Sequence, residues 1–250
     1  MELSDLGNKH AGRIGIVAGA GPSLLAVDPK MLKDLGVVIS VNSSISKLTN
    51  ADYFIADDIG VRTWDYYRIT LPKIDATCLL YRKKLAGEAN HIPKERVIYF
   101  DHKWWYDPGS KKYNPEGLIL TKDPKAPLVG ARTSAGTAVH FAYIMGCDPI
   151  VLVGCDCCYK QSKRYFWQFP GEKPCKRLTG EKVFCHNNRG THKGYAVDSH
   201  SMDFIEYWTA FAKANPDVNI IDASDGTLEC FKKMSLQEVQ EEYGGVFDRK

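Results

Sequence analysis

The sequence predicts one α/β domain built on a mainly parallel, Rossmann-like sheet with helices on both faces. Strand candidates recur at 13–18, 36–41, 52–56, 77–81, 96–100, 149–154 and 218–222, with helical segments between several of them. The first candidate runs into a glycine-rich turn in "GIVAGAGPSL", residues 15 to 24. The chain of 250 residues, 44% hydrophobic and 25% charged, is long enough for one sizeable core and leaves no need for a division within 1–250.

Ile14, Ile16 and Val17 read as a short buried strand, and Leu24, Leu25 and Val27 as the core face of a helix after it. Between them, Gly19 and Gly21 permit positive φ and the close approach of a ligand to the backbone. Pro22 suits the first position of a helix, and Ser23 adds a hydroxyl. Free amides at such a helix start attract an anion, and a phosphate is the expected one. The spacing lacks the last glycine of a dinucleotide fingerprint and the lysine of a P-loop, so on its own it describes a tight turn equally well.

The run "ARTSAGTAVHFAYIMGCDPIVLVGCD" predicts a helix from near Thr133 to Gly146 with Ala138, Phe141, Ala142 and Met145 on one face. "PIVLVG" then reads as a fully buried strand, with Asp156 just past its carboxyl end. Ser134, Ala135 and Gly136 are small enough for a ligand to reach the amides of that helix, giving a second anion-facing terminus beside the first. Two such termini suit a nucleotide-containing ligand better than an isolated phosphate. Close helix packing explains the alanines equally well, but leaves Arg132, Ser134 and Asp156 without a role. Two excursions without apolar period, 101–128 and about 159–198, are candidates to cover a site at the carboxyl ends of the strands, the second as an inserted lid.

A formal charge of +3 suits anionic substrates and falls short of a dedicated nucleic-acid binder. "MELSDLGNKH" has no apolar leader and no run approaches a membrane span, so the expected setting is cytoplasmic, with no membrane span and oligomerisation open. Eight cysteines in a reducing compartment read as thiols or metal ligands. Cys175, Cys185, His186 and His192 lie close enough to hold zinc, yet C-x9-C-H-x5-H matches no standard finger. Cys155, Cys157 and Cys158 read as buried thiols.

"AGAGPSL", "VN" at 41–42, "RTSAG" before a helix, "GCDPIVLVGCD", a tyrosine pair and "SHS" before another helix resemble, in that order, glycosyltransferase family 42, the bacterial sialyltransferases. The glycine turn and "GCDPIVLVG" also resemble the 6-hydroxymethylpterin diphosphokinase-like domain, which flagellin-modifying glycosyltransferases share. The first resemblance implies that Tyr159 and Tyr165, six positions apart, contact the donor's phosphate and that His200 in "DSHSMDFIEYW" is the base. It further implies that Asn42 meets the donor's nucleotide, with Gly19, Gly21 and Ser134 lining the pocket. Ala20 stands where that family has asparagine and Ala135 where it has serine. Each change removes a polar group that binds the donor, which moves the expected donor away from cytidine-linked sialic acid.

Direct displacement of a sugar needs a base for the acceptor hydroxyl and donors for the departing phosphate. His200 at a helix start, capped by Asp198 or Ser199, suits the first task, because that position disfavours the imidazolium. Tyr159, Tyr165, Arg132 and a lysine such as Lys163 suit the second, with no metal or other cofactor. Asp52, Asp57 and Asp58 read as a solvated turn at a strand end, or as ligands for magnesium or a substrate hydroxyl. "HKWWYDPGSKKY" mixes aromatics and lysines able to stack on sugars or bases, so the acceptor is a glycan or a hydroxymethylated DNA base. The sequence therefore predicts an inverting, metal-independent transferase using a nucleotide-sugar donor. A Mg/ATP-dependent pterin diphosphokinase-like transferase and a nucleotide-binding module without turnover are the alternatives.

Overall fold

All four residues of β1 (Gly15–Ala18) are buried, as expected of a strand covered on both faces. Ile16 and Ala18 point into one hydrophobic cluster and Val17 into the other. β1 pairs in parallel with β2 (Val37–Val41) on one side. From there the sheet extends through β3 (Tyr53–Ala56), β4 (Thr77–Tyr81) and β5 (Val97–Phe100). On the other side of β1 lie β6 (Ile150–Val153), β7 (Ile220–Asp222) and β8 (Lys232–Lys233). The order β8-β7-β6-β1-β2-β3-β4-β5 is parallel throughout and reverses direction between β1 and β6. This is a Rossmann-like α/β fold. The computed structural model describes residues 1–103, 106–107, 112–130, 132–180 and 190–244.

One face is covered by α2 (Ser134–Ile144) and α3 (Ser199–Ala214), which bring Val139, Phe141, Tyr207 and Trp208 onto Val17, Val37 and Ile39. α2 is buried at ten of its eleven positions, so it is enclosed nearly all round and not striped. The opposite face takes Leu32 of α1 (Pro29–Leu35) with Leu24, Leu48, Phe54 and Tyr67. A last helix, α4 (Leu236–Tyr243), buries Val239 on that same face. Among the described residues no helix is long and apolar enough to cross a membrane.

The seven expected strands all form, within about two residues of the expected limits. The eighth, Lys232–Lys233, carries no apolar pattern. The expected helix after the glycine turn is a correction. Pro22–Ala26 is a five-residue 3-10 turn, and Val27 is already extended. Pro29 forces the residue before it out of helical geometry, and the side chain of Asp28 instead caps α1 by accepting from the Lys30 amide at 2.9 Å. In the first excursion, His102–Lys103 pairs in parallel with Leu128–Val129. In the second, Gly190–His192 and Tyr195–Val197 form a hairpin, and Tyr159 bridges to Ala196.

At the switch point β1 and β6 end in glycine on glycine. A Cβ on Gly19 would stand 2.4 Å from the Gly154 carbonyl oxygen, and one on Gly154 would stand 2.4 Å from that of Gly19. Gly154 also has φ +64. Gly19→Ala is therefore expected to lower stability by about 3 kcal/mol. Gly190→Ala, which meets open space at an ordinary φ, should stay within about 0.5 kcal/mol. Urea midpoints of the two variants check the contrast.

Candidate functional site

A cavity of about 940 Å³ opens over the carboxyl ends of β1, β2, β3 and β6, where open parallel sheets take their ligands. Among the described residues its wall carries six Lys or Arg side chains (Lys83, Lys84, Lys103, Arg132, Arg164 and Arg177) and three aspartates (Asp57, Asp58 and Asp156). This balance favours an anionic ligand.

Gly19 and Gly21 line the floor, but their smallness serves the chain itself. The Gly21 amide donates to the Gly154 carbonyl at 2.7 Å, and a Cβ on Gly21 would lie 2.0 Å from Asp156 Oδ2. The Asp156 carboxylate sits at the head of the turn. It accepts from the Ser23 amide at 3.1 Å and from the Ser23 hydroxyl at 2.9 Å. The anion held by this turn is thus an internal one. Burial pushes the Asp156 carboxyl up to about 6 against the pull of the two Ser23 bonds.

A second wall comes from β2, β3 and α2. Asn42 lies in the left-handed region with φ +52 and donates from Nδ2 to Ser134 Oγ at 3.3 Å. The Ser134 hydroxyl donates to Asp57 Oδ1, and Thr137 Oγ1 donates to Asp57 Oδ2 at 3.3 Å. Asp57 is buried and burial raises its carboxyl, so it is no solvated turn residue. Asp58 accepts from the Gly60 amide at 3.0 Å.

The third wall is the start of α3. Asp198 is its cap, accepting from the Ser201 amide at 2.7 Å and the Ser201 hydroxyl at 2.8 Å, which leaves His200 in the first turn on the cavity wall. Asp198 Oδ2 accepts from the Tyr159 hydroxyl at 2.8 Å and from Arg164 at 3.1 Å. Burial pushes Asp198 up, but these donors outweigh it and hold the carboxyl below its ordinary value. Tyr165 lines the cavity, its ring stacked at 5.1 Å and 9° on Trp167, whose indole donates to Ser43 at 3.1 Å.

The structure thus brings Gly19, Gly21, Asn42, Arg132, Ser134, Asp156, Tyr165 and His200 onto one cavity. Arg132 reaches it while paired with Asp203. Three expected contacts are corrected in position. Tyr159 stands behind the wall, 3% exposed, with its hydroxyl on Asp198. Ser23 is turned to Asp156. Gly136 is small because a Cβ there would meet the Tyr207 hydroxyl at 2.2 Å. Lys163 lies over the Phe169 ring at 4.5 Å, away from the lining. Of the candidate zinc ligands, Cys185 and His186 lie outside the described residues, and Cys175 is buried with its thiol donating to Ser46. Among the described residues no group of three or more His, Cys, Asp or Glu side chains comes together to hold a metal.

Sequence reasoning passed over Trp64, Arg177, His102 and Lys84. Arg177 lies over the Trp64 ring at 5.4 Å, and a β-bridge joins the two residues across more than a hundred positions. Only their chemical type, an aromatic and a cation in polar segments, was there to flag them.

The profile of the family described as 6-hydroxymethylpterin diphosphokinase MptE-like matches residues 2–162, more than half of the chain. The chain belongs to this MptE-like family. Of the two groups that the motifs resemble, this is the one the match falls on. The MptE-like match takes in the glycine turn, Asn42, Asp57, Ser134 and Asp156, and ends before Tyr165 and His200. No curated protein matches the chain. Among solved structures, a MAf glycosyltransferase from Magnetospirillum magneticum AMB-1 superposes on 96% of this MptE-like chain with TM-score 0.49 and 15% identity. The chain spans 39% of that protein's length.

Two outcomes are expected. The Asp156 carboxyl binds its proton more tightly in the folded chain, near 6, than at its ordinary 3.8, so its contribution to stability falls as pH rises through that window. Against Asp156→Asn, which does not titrate, the parent protein should lose about 2 kcal/mol between about pH 4 and about pH 7. Denaturant titrations at the two pH values measure it. Tyr159→Phe removes one bond to Asp198 and should cost about 1 kcal/mol in the same assay.

Proposed function

We propose that the protein transfers a sugar from a nucleotide-sugar donor to an acceptor hydroxyl, by direct displacement with inversion. The observation that carries this reading is that His200 and Tyr165, from late in the chain, line the same cavity as Gly19 and Gly21. His200 Nε2 or Nδ1 takes the proton of the acceptor hydroxyl as its oxygen attacks the anomeric carbon, and the bond from that carbon to the donor phosphate breaks. The Tyr165 hydroxyl and the guanidinium groups of Arg164 and Arg177 offer donors to the phosphate as its charge grows. The Trp64 and Tyr165 rings supply faces for a base or sugar ring. Asp198 and Tyr159 act at one remove, fixing the turn that carries His200. The acceptor is a glycan or a hydroxymethylated base.

The family description is the ground for a second reading, a magnesium-dependent diphosphoryl transfer from ATP, with Asp57 or Asp58 holding the metal. Both reactions set a hydroxyl against a nucleotide-linked electrophile, so the dependence on magnesium separates them.

His200→Ala should lower turnover by roughly 10² to 10⁴-fold while nucleotide binding, read by thermal shift, stays within about 2-fold. Retention of most turnover would remove His200 from the mechanism. The donor is found by thermal shift against cytidine, uridine, guanosine and adenosine nucleotides with and without magnesium. A shift confined to ATP with magnesium would select the diphosphokinase reading. Binding without transfer to any acceptor would select a binding module.

A further inference from the structure

Two histidines of this chain, His140 fully buried and His102 partly so, are satisfied very differently. At His140 the ring Nδ1 accepts from the Val129 amide at 2.8 Å and Nε2 donates to the Thr121 carbonyl at 3.0 Å. Both nitrogens are used, as a structural imidazole requires. His102 stands on the cavity wall, its ring stacked on Tyr81 at 4.1 Å and 19°. Its Nε2 is buried with no hydrogen-bond partner, 3.9 Å from Asp57 Oδ2 and so beyond bonding distance. A polar atom removed from water and left unbonded is rare in a folded chain, and here it faces a carboxylate that is also on the wall.

We propose that His102 and Asp57 form a hydroxyl-binding subsite that grips one hydroxyl of the transferred sugar, with Nε2 on one side and Oδ2 on the other. The inference rests on the nucleotide-sugar reading above. A single oxygen can lie about 2.8 Å from both atoms across this gap. A hydroxyl alone among neutral sugar groups can donate to one and accept from the other. The elements around the pair hold it in readiness. Tyr81 fixes the plane of the ring, while Ser134 and Thr137 fix the carboxylate. Burial, with Lys84 nearby, drives the imidazole down to about 4, so it meets a neutral hydroxyl as a neutral ring. His102 and Asp57 are thereby specificity-determining residues, and the proton transfer remains with His200.

The test is isothermal titration of the full chain with UDP-glucose, GDP-mannose, ADP-glucose and CMP-sialic acid, each beside its bare nucleotide, without and with magnesium. Parent protein, His102→Phe and Asp57→Asn are compared; phenylalanine keeps the stack on Tyr81 and removes Nε2. Affinity for the sugar nucleotide that binds should fall about 10-fold in both variants, and affinity for its bare nucleotide by less than about 2-fold. Equal losses for the two ligands, or none for either, would overturn the subsite and leave the transferase reading standing. Magnesium-dependent binding, indifferent to the sugar and lost in both variants, would make the pair a metal site and overturn it as well. If none of the sugar nucleotides binds the parent protein, the transferase reading falls and the subsite with it. Should His102→Phe fail to fold, His102→Leu, which also removes Nε2, gives the same comparison.

Discussion

The contact on which the site depends is the crossing of Gly19 and Gly154. Two strand ends without side chains lie so close that each carbonyl oxygen fills the volume of the other's absent Cβ. This closeness puts Asp156, two residues beyond Gly154, against the turn at Pro22–Ala26, where Gly21 leaves room for its carboxylate. A larger residue at either crossing position would part β1 from β6 and take the floor of the cavity with them. The glycines of this motif are needed by the protein's own backbone before any ligand arrives.

Three buried aspartates show how one group is tuned three ways. Asp198 has donors on both oxygens and drops below its ordinary value. Asp156 has the two Ser23 bonds and the charge of Lys160 against its burial and still rises. Asp57 has two hydroxyls and also rises. What decides each direction is the balance between the donors and the loss of water, and Asp198 has the charged donor Arg164 and the smaller loss. The carboxylate that fastens α3 is thus the firmly ionised one, and the two that face the cavity are the more easily protonated.

Much of the fold was legible because parallel strands buried on both faces need unbroken apolar runs such as "GIVA" and "IVLV". Lys232–Lys233 was not, since this edge strand has no apolar run and is held by its backbone pairing and by the ion pair of Lys233 with the buried Asp222. Thr133 and Gly146 bounded α2 correctly, because a cap hydroxyl and a positive-φ glycine are local requirements. The site was legible in part. Tyr159 and Tyr165 keep the spacing that drew attention to them, but they lie on an irregular segment, where a count of residues does not say which side of a wall a ring takes. That the Ser23 amide donates to Asp156 was not legible, because the two residues are 133 positions apart. His102, Trp64 and Arg177 depend on such distant meetings throughout.

The internal carboxylate also gives the cavity a polarity. The Ser23 amide at the head of the 3-10 turn already donates to a carboxylate of the chain itself. Arg164 and Arg177 stand on the wall of the same cavity and carry charge of the opposite sign. The lining is thus charged unevenly, with a carboxylate of the chain's own at the glycine turn and guanidinium groups elsewhere on the wall.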